Sequence, residues 1–317
     1  MLRQILLTAP LLLAQDATAP DFALTFAWGE RGEVRVFDST LKQGKESETT
    51  FVLRWEPIEG TDDLLVEMAD MAFVSYGGVP ADDPSLAMAM GMLEPMLQVV
   101  PSFRITRAGD LVEVGDVGEA LEAVLALYES EEGGEQKTAM LRQAFGSPQA
   151  QALVTNSIVE NWTAWVGFWA GFEGEYDENY VVENDAVALA PQFDIAVGGS
   201  VEHRGMEALE ASMTAVADPE RLMLRMVGFF DAITDEEDEA LRQARKRIAS
   251  SFESAERVDS FGGLYALDGL RPLEVTTEMR VRVTVVDGEP QQQIERHRYR
   301  FEWPGLEPLE GEGDEPR

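Results

Sequence analysis

Residues able to carry acid–base or metal chemistry are few in this chain. It has two histidines, His203 and His297, and no cysteine. Protein zinc sites are built from several His and Cys ligands, so a multi-histidine or cysteine-bound zinc site is excluded. His297 stands in the run Glu295, His297, Tyr299, Phe301, Trp303. A spacing of two puts these side chains on one face of a strand, which makes His297 a half-buried packing residue rather than a catalytic base. His203 lies in Val201-Glu202-His203-Arg204-Gly205, near a strand end. The sequence names no serine and acid to accompany either ring.

Ser39-Thr40-Leu41-Lys42 matches the S-x-x-K pattern of penicillin-binding enzymes. That chemistry needs the serine at a helix start with the lysine one turn later. Here the four residues lie between two strand-like runs, and the companion S-D-N and K-T-G motifs are missing. No G-x-S-x-G, Walker loop or G-x-G-x-x-G is present. Glu173, Glu175, Asp177, Glu178, Glu183 and Asp185 surround Tyr176 and Tyr180. Calcium prefers oxygen ligands of this kind, but the twelve-residue EF-hand spacing is not met. The cluster therefore reads as a solvated loop. Asn161-Trp162-Thr163 is a formal glycosylation sequon inside an amphipathic helix, a poor acceptor context. No catalytic residue, metal ligand or cofactor site is assigned.

What remains is apolar. Met88, Met90, Met92 and Met96 fall in one helical stretch, and Trp162, Trp165, Phe168 and Trp169 in another. Methionine is flexible and polarisable and adapts to varied apolar shapes. Met88, Met92, Trp162, Trp165 and Trp169 are therefore the candidate ligand-binding residues, expected to border a groove between sheet and helices.

The elements that must position them follow from periodicity. Phe22, Leu24, Phe26 and Trp28 alternate, and similar runs over Val34–Thr40, Phe51–Trp55 and Leu64–Tyr76 predict a meander of four strands. Asp83 and Pro84 open a helix that Pro95 kinks or ends. Phe103–Arg107 and Leu111–Val114 flank the turn Ala108-Gly109-Asp110. Helices are predicted over Val117–Tyr128, Gln136–Phe145 and Pro148–Ala170, with an acidic Gly-containing linker at 131–135. Strand character returns between Tyr180 and Thr214. Asp218-Pro219 starts a further helix, and Thr234-Asp235-Glu236-Glu237 matches a capping box. The helix it opens ends in Arg242, Arg245, Lys246 and Arg247, which complements the helix dipole.

The last hairpin has the longest alternation. Leu273, Val275, Thr277, Met279, Val281, Val283 and Val285 share one face, and Glu295, His297, Tyr299, Phe301 and Trp303 share a face of the next strand, around the turn signal Asp287-Gly288. Keeping the two apolar faces together requires an odd number of loop residues. A three-residue loop, Val286–Gly288, pairs Glu278 with Arg296 and Glu274 with Arg300. Val281, Val283, Tyr299 and Phe301 are then core, and Arg298 and Arg300 face water.

The formal net charge is −34, and losing residues 1–19 removes one Arg3 and one Asp16, leaving it unchanged. Such a chain repels nucleic-acid phosphate and anionic lipid, so nucleic-acid binding and polybasic membrane docking are not expected. The start, Met-Leu-Arg-Gln followed by an apolar run from Ile5 to Ala14, reads as a signal peptide, cut after Ala14 or Ala19. Residues 20–304 then form a single domain, and 305–317 a disordered acidic tail. Export without cysteine means a protein that is periplasmic or extracellular, is not a lipoprotein and is held by its core.

The leader followed by the run from Phe22, the segment Phe103-Arg104-Ile105-Thr106-Arg107-Ala108-Gly109-Asp110-Leu111, and the hairpin Leu273–Trp303 together resemble bacterial exported proteins of unknown function. Some of these have a curved sheet like that of periplasmic lipoprotein carriers. The resemblance implies an architecture in which acyl chains lie between a bent sheet and helices, and no individual residue role. The expected fold is α+β: a strongly bent, half-barrel-like antiparallel sheet with helices from the middle of the chain on its concave side. The expected function is non-catalytic, an exported protein binding an apolar small molecule or lipid. A carboxylate-based hydrolase and a structural envelope-associated protein without ligand are the alternatives.

Overall fold

The computed structural model describes residues 19–129, 134–183, 190, 192–222, 252–286 and 288–306. The leader over 1–18, the linker at 130–133, Asp185, the Thr234 capping box, the basic run from Arg242 and the tail beyond Leu306 lie outside them.

The chain is α+β and mostly antiparallel sheet. Strands β2 (Gly32–Lys42), β3 (Lys45–Pro57) and β4 (Leu64–Tyr76) form the predicted meander. The β2–β3 turn is tight because Gln43 and Gly44 both take positive φ, 53° and 75°, the twist that a two-residue hairpin requires. Beyond β4 come β5 (Val79–Pro80) and the pair β6 (Phe103–Ile105) and β7 (Leu111–Val114). A second meander runs through β9 (Asn179–Glu183), β10 (Gln192–His203), β11 (Met206–Val216), β12 (Phe252–Ala266), β13 (Arg271–Val285) and β14 (Gln291–Glu302). The meanders join where β14 pairs with β2, from Glu302 opposite Arg35 to Glu295 opposite Lys42. The result is one twelve-stranded sheet running from β7 to β9, not closed into a barrel.

The register of the last hairpin is the predicted one, with Glu278 opposite Arg296 and Glu274 opposite Arg300. Its faces differ from expectation in part. Tyr299 and Phe301 are buried, whereas Val281 and Val283 are half-buried, because this end of the hairpin runs past the core. Arg298 is exposed, but Arg300 is half-buried with its guanidinium 4.4 Å from the centre of the Phe37 ring.

The run Phe22–Trp28 corrects the expectation of a fourth meander strand. Its side chains do alternate, Phe22, Leu24, Phe26 and Trp28 being buried and their neighbours exposed. Yet only β1 (Phe22–Ala23) is a strand, and it pairs with β8 (Glu173–Gly174) in a separate two-stranded sheet. The extended backbone beyond it bonds to loops: Leu24 N–H to Phe172 O at 2.8 Å and Ala27 N–H to Gly269 O at 3.2 Å.

The helices are α1 (Ala87–Leu97), α2 (Val117–Tyr128), α3 (Gly134–Phe145) and α4 (Pro148–Trp162), the last continuing into a π turn at Thr163–Gly167. Asp116 caps α2 by accepting from Glu119 N–H at 2.9 Å, and Ser147 caps α4 by accepting from Ala150 N–H at 3.1 Å. Asp83 instead closes a turn ahead of α1, accepting from Ser85 N–H at 2.8 Å.

The main core lies where the α4–π segment meets the inward sheet residues. Trp162 packs on Phe26, Trp28 and Phe103, Trp165 on Phe51, Tyr299 and Phe301, and Trp169 on Phe261 and Tyr265. One short helical segment thus anchors strands from both meanders. Burying aromatic rings of this size is worth several kcal/mol each relative to truncation.

Candidate functional site

The inward face of the β2–β14 seam grades from apolar to charged. Val36 faces Phe301, Asp38 faces Tyr299, Thr40 faces His297 and Lys42 faces Glu295. The first pair is in the core. The last three pairs form a linked polar cluster beyond it. His297 Nδ1 lies 3.1 Å from Asp38 Oδ1 and 3.0 Å from Thr40 Oγ1. Its Nε2 lies 3.6 Å from Glu295 Oε1, and Glu295 Oε2 takes an ion pair from Lys42 Nζ at 2.8 Å. Tyr299 stacks on the imidazole and donates its hydroxyl to Asn161 Oδ1 at 3.0 Å, which ties the cluster to α4.

Burial pulls the His297 pKa down, but the bond and charge of Asp38 and the charge and bond of Glu295 outweigh it, so the net shift is upward from 6.5. A general base needs a free lone pair. With a proton on each nitrogen, His297 donates from Nδ1 to Asp38, faces the Glu295 charge at Nε2 and has none. The Thr40 hydroxyl therefore meets an imidazolium N–H that already faces Asp38, and the group is suited to holding strands together rather than to activating a nucleophile.

The second feature is a hollow of about 330 Å³ lined by Ala27, Trp28, Gly29, Gly32, Glu33, Trp55, Arg271, Trp303 and Pro304. Its floor is three mutually packed indoles from distant parts of the chain. Ring centres are 5.0 Å apart for Trp28 and Trp55, 4.9 Å for Trp28 and Trp303, and 5.9 Å for Trp55 and Trp303. Trp28 and Trp303 donate their N–H groups to Leu270 O at 3.0 Å and Pro272 O at 2.7 Å. The Trp55 N–H is buried without a protein partner. Gly32 is required beneath Trp55, since a Cβ there would stand 2.3 Å from its ring. Arg271 sits over Trp303 at 5.8 Å and Glu33 lies on the rim. A second hollow, of about 320 Å³, lies at the β10–β11 turn around Ser200, Gly205 and Glu207.

The five residues singled out by sequence are not brought together around either hollow. Trp162, Trp165 and Trp169 are buried in the main core, while Met88 and Met92 are 82% and 41% exposed on α1. Met88 and Met92 face solvent because α1 turns Met90, Pro95 and, in part, Met96 inward. The other motifs resolve as structure. Ser39 and Lys42 both lie in β2, so the serine is not at a helix start. Asn161 has its amide oxygen engaged by Tyr299 inside α4. In the acidic loop, Glu175 N–H bonds to the Tyr180 hydroxyl and Tyr176 N–H to Asp21, while Asp185 and the Glu183 side chain lie outside the described residues. His203 approaches Glu274 at 3.9 Å.

Sequence reasoning placed His297, Tyr299 and Phe301 on one face but missed Asp38, whose contact with His297 spans 259 residues. It also missed the meeting of Trp28, Trp55 and Trp303. No protein-family model matches the chain, and no curated protein matches it.

Proposed function

We propose that this is a non-catalytic, exported binding protein that takes a small molecule with an apolar face into the hollow floored by Trp28, Trp55 and Trp303. The hollow itself carries the reading: about 330 Å³ falls within the range of small-ligand sites, and its lining combines aromatic rings with a few polar groups. The apolar start of the chain supports export. A sheet bent around the α4–π segment, with the helices on its concave side, would hold the three indoles rigid. The bond between His297 Nδ1 and Asp38, with the Glu295 charge beside Nε2, supports a role without acid–base chemistry.

The test is a titration of the full chain with the apolar fluorophore N-phenyl-1-naphthylamine, alongside mass spectrometry of a solvent extract of the native protein. Ala27 lines the hollow from an exposed position, so Ala27→Phe fills it without entering the core. Saturable uptake that Ala27→Phe abolishes, with the circular dichroism unchanged, supports the reading. No uptake and no extracted ligand overturns it in favour of a structural role.

A further inference from the structure

We propose that Asp38, His297 and Glu295 form a proton-operated clasp across the β2–β14 seam, fastened while the imidazole carries both protons and loosened when it loses one. Among the described residues, the seam is the only pairing that joins the N-terminal to the C-terminal meander in the strand order of the large sheet. Its apolar half is fixed by Val36 and Phe301, both fully buried. Its other half depends on the charged ladder.

The groups facing His297 are few. From β2 come Asp38 at Nδ1, Thr40 beside it and Lys42, which reaches Glu295. From β14 come Glu295 at Nε2 and Tyr299 stacked on the ring. From β13 the directly opposed residue is Thr277, which does not titrate. From β3, Ser47 stands opposite Thr40 and Thr49 opposite Asp38, again without charge. From α4, Asn161 holds the Tyr299 hydroxyl, and the charge of Glu160 also reaches Tyr299.

With His297 charged, the two carboxylates are balanced by two cations, His297 and Lys42. Loss of the proton leaves one cation for two carboxylates in a chain whose formal charge is already −34. The neutral ring can donate from one nitrogen only, so either Asp38 or Glu295 faces a lone pair. The fold raises the His297 pKa above its ordinary 6.5. Its stabilisation is therefore complete below the unfolded value and fades as pH rises through the higher folded value. The clasp closes in mild acid and slackens in alkali.

Hydrogen exchange of the full chain, corrected for intrinsic chemistry, tests this at about pH 6 and about pH 9, below and well above the ordinary imidazole value. Peptides over Arg35–Lys42 and Glu295–Glu302 should exchange several-fold faster at the higher pH, while those pairing β3 with β4 hold steady. His297→Gln should make seam exchange fast and equal at both. Should that variant not fold, Ser39→Cys with Arg298→Cys offers a second route. These two face each other in register, and the chain has no other cysteine, so oxidation should bolt the seam and remove its pH response. Equal seam protection at both pH values in the unmodified chain overturns the proposal. So does loosening shared evenly by β3–β4, which would mean general charge repulsion.

Discussion

The indole N–H of Trp162 donates to the carbonyl of Gly109 at 2.9 Å, joining the end of α4 to the β6–β7 turn. The bond forms because Gly109 takes φ +92°, and a Cβ there would meet the Phe26 ring at 2.9 Å. Side chains are disfavoured twice over at this position, once by the backbone and once by the ring.

Gly109→Ala should therefore destabilise the protein by about 1–3 kcal/mol, the usual scale for a residue forced into such a conformation. Trp162→Ala, which empties a fully buried site, should cost about 3–5 kcal/mol. Urea unfolding followed by far-ultraviolet circular dichroism measures both. A neutral Gly109→Ala would mean that the turn can relax away from Phe26.

The last hairpin gives a ranking. Phe301→Ala removes a fully buried ring and should cost about 3–5 kcal/mol. Val281→Asp, at a half-buried position, should cost about 1–3 kcal/mol, less than full burial of the charge would. Arg298→Glu at an exposed position should change stability by less than about 0.5 kcal/mol. Denaturant midpoints that place Val281→Asp above Phe301→Ala would show that the valine end of the hairpin is covered more deeply than its exposure indicates.

Local signals carried the sequence reading and non-local ones escaped it. The expected bounds of α2, Val117–Tyr128, are the observed ones, and Asp116 caps the helix. The hairpin register followed from two alternating runs and an odd loop. Both are settled within a few residues of the turn or cap. The β2–β14 seam pairs residues about 260 positions apart, and such pairing leaves no periodic mark in either strand. Phe22–Trp28 shows a further limit. A period of two reports which side chains are buried and says nothing of which backbone receives the hydrogen bonds. The methionines of α1 failed for another reason: apolar residues at nearly every position of Met88–Leu97 leave no single face to choose, so composition could not say which side meets the core.

Glu278 predicts the acid limb. The bond from Arg296 holds its carboxyl below the usual range, against the opposing pull of burial and with help from Arg280. A lowered carboxylate stabilises the fold above its unfolded value near 4.5, and that contribution disappears as pH falls through the lower folded value. The pair is near the surface, so the effect should stay within about 1 kcal/mol. Thermal melts at neutral and strongly acid pH should differ less for Glu278→Gln than for the unmodified chain. An equal or larger difference would assign the acid sensitivity to other carboxylates.

Tyr299 predicts the alkaline limb and the worth of its contact with α4. Burial first, then the negative charges of Asp38, Glu295 and Glu160, push its phenol pKa well above 10. An acid whose folded pKa is raised stabilises the fold while protonated, so its contribution is complete below about pH 10 and is lost above that. Phenolate absorbance should therefore show Tyr299 ionising only together with unfolding. Tyr299→Phe keeps the ring against Trp165 and His297 but leaves Asn161 Oδ1 without its donor. It should cost about 0.5–1.5 kcal/mol at neutral pH, and it should shrink, not abolish, the step in absorbance that accompanies alkaline unfolding, because the Tyr265 phenol is buried and raised as well. If the variant is as stable as the unmodified chain, the Asn161 oxygen finds solvent when the hydroxyl is gone. The anchoring of α4 to the seam would then rest on the packing of Trp165 against Tyr299 and Phe301 alone.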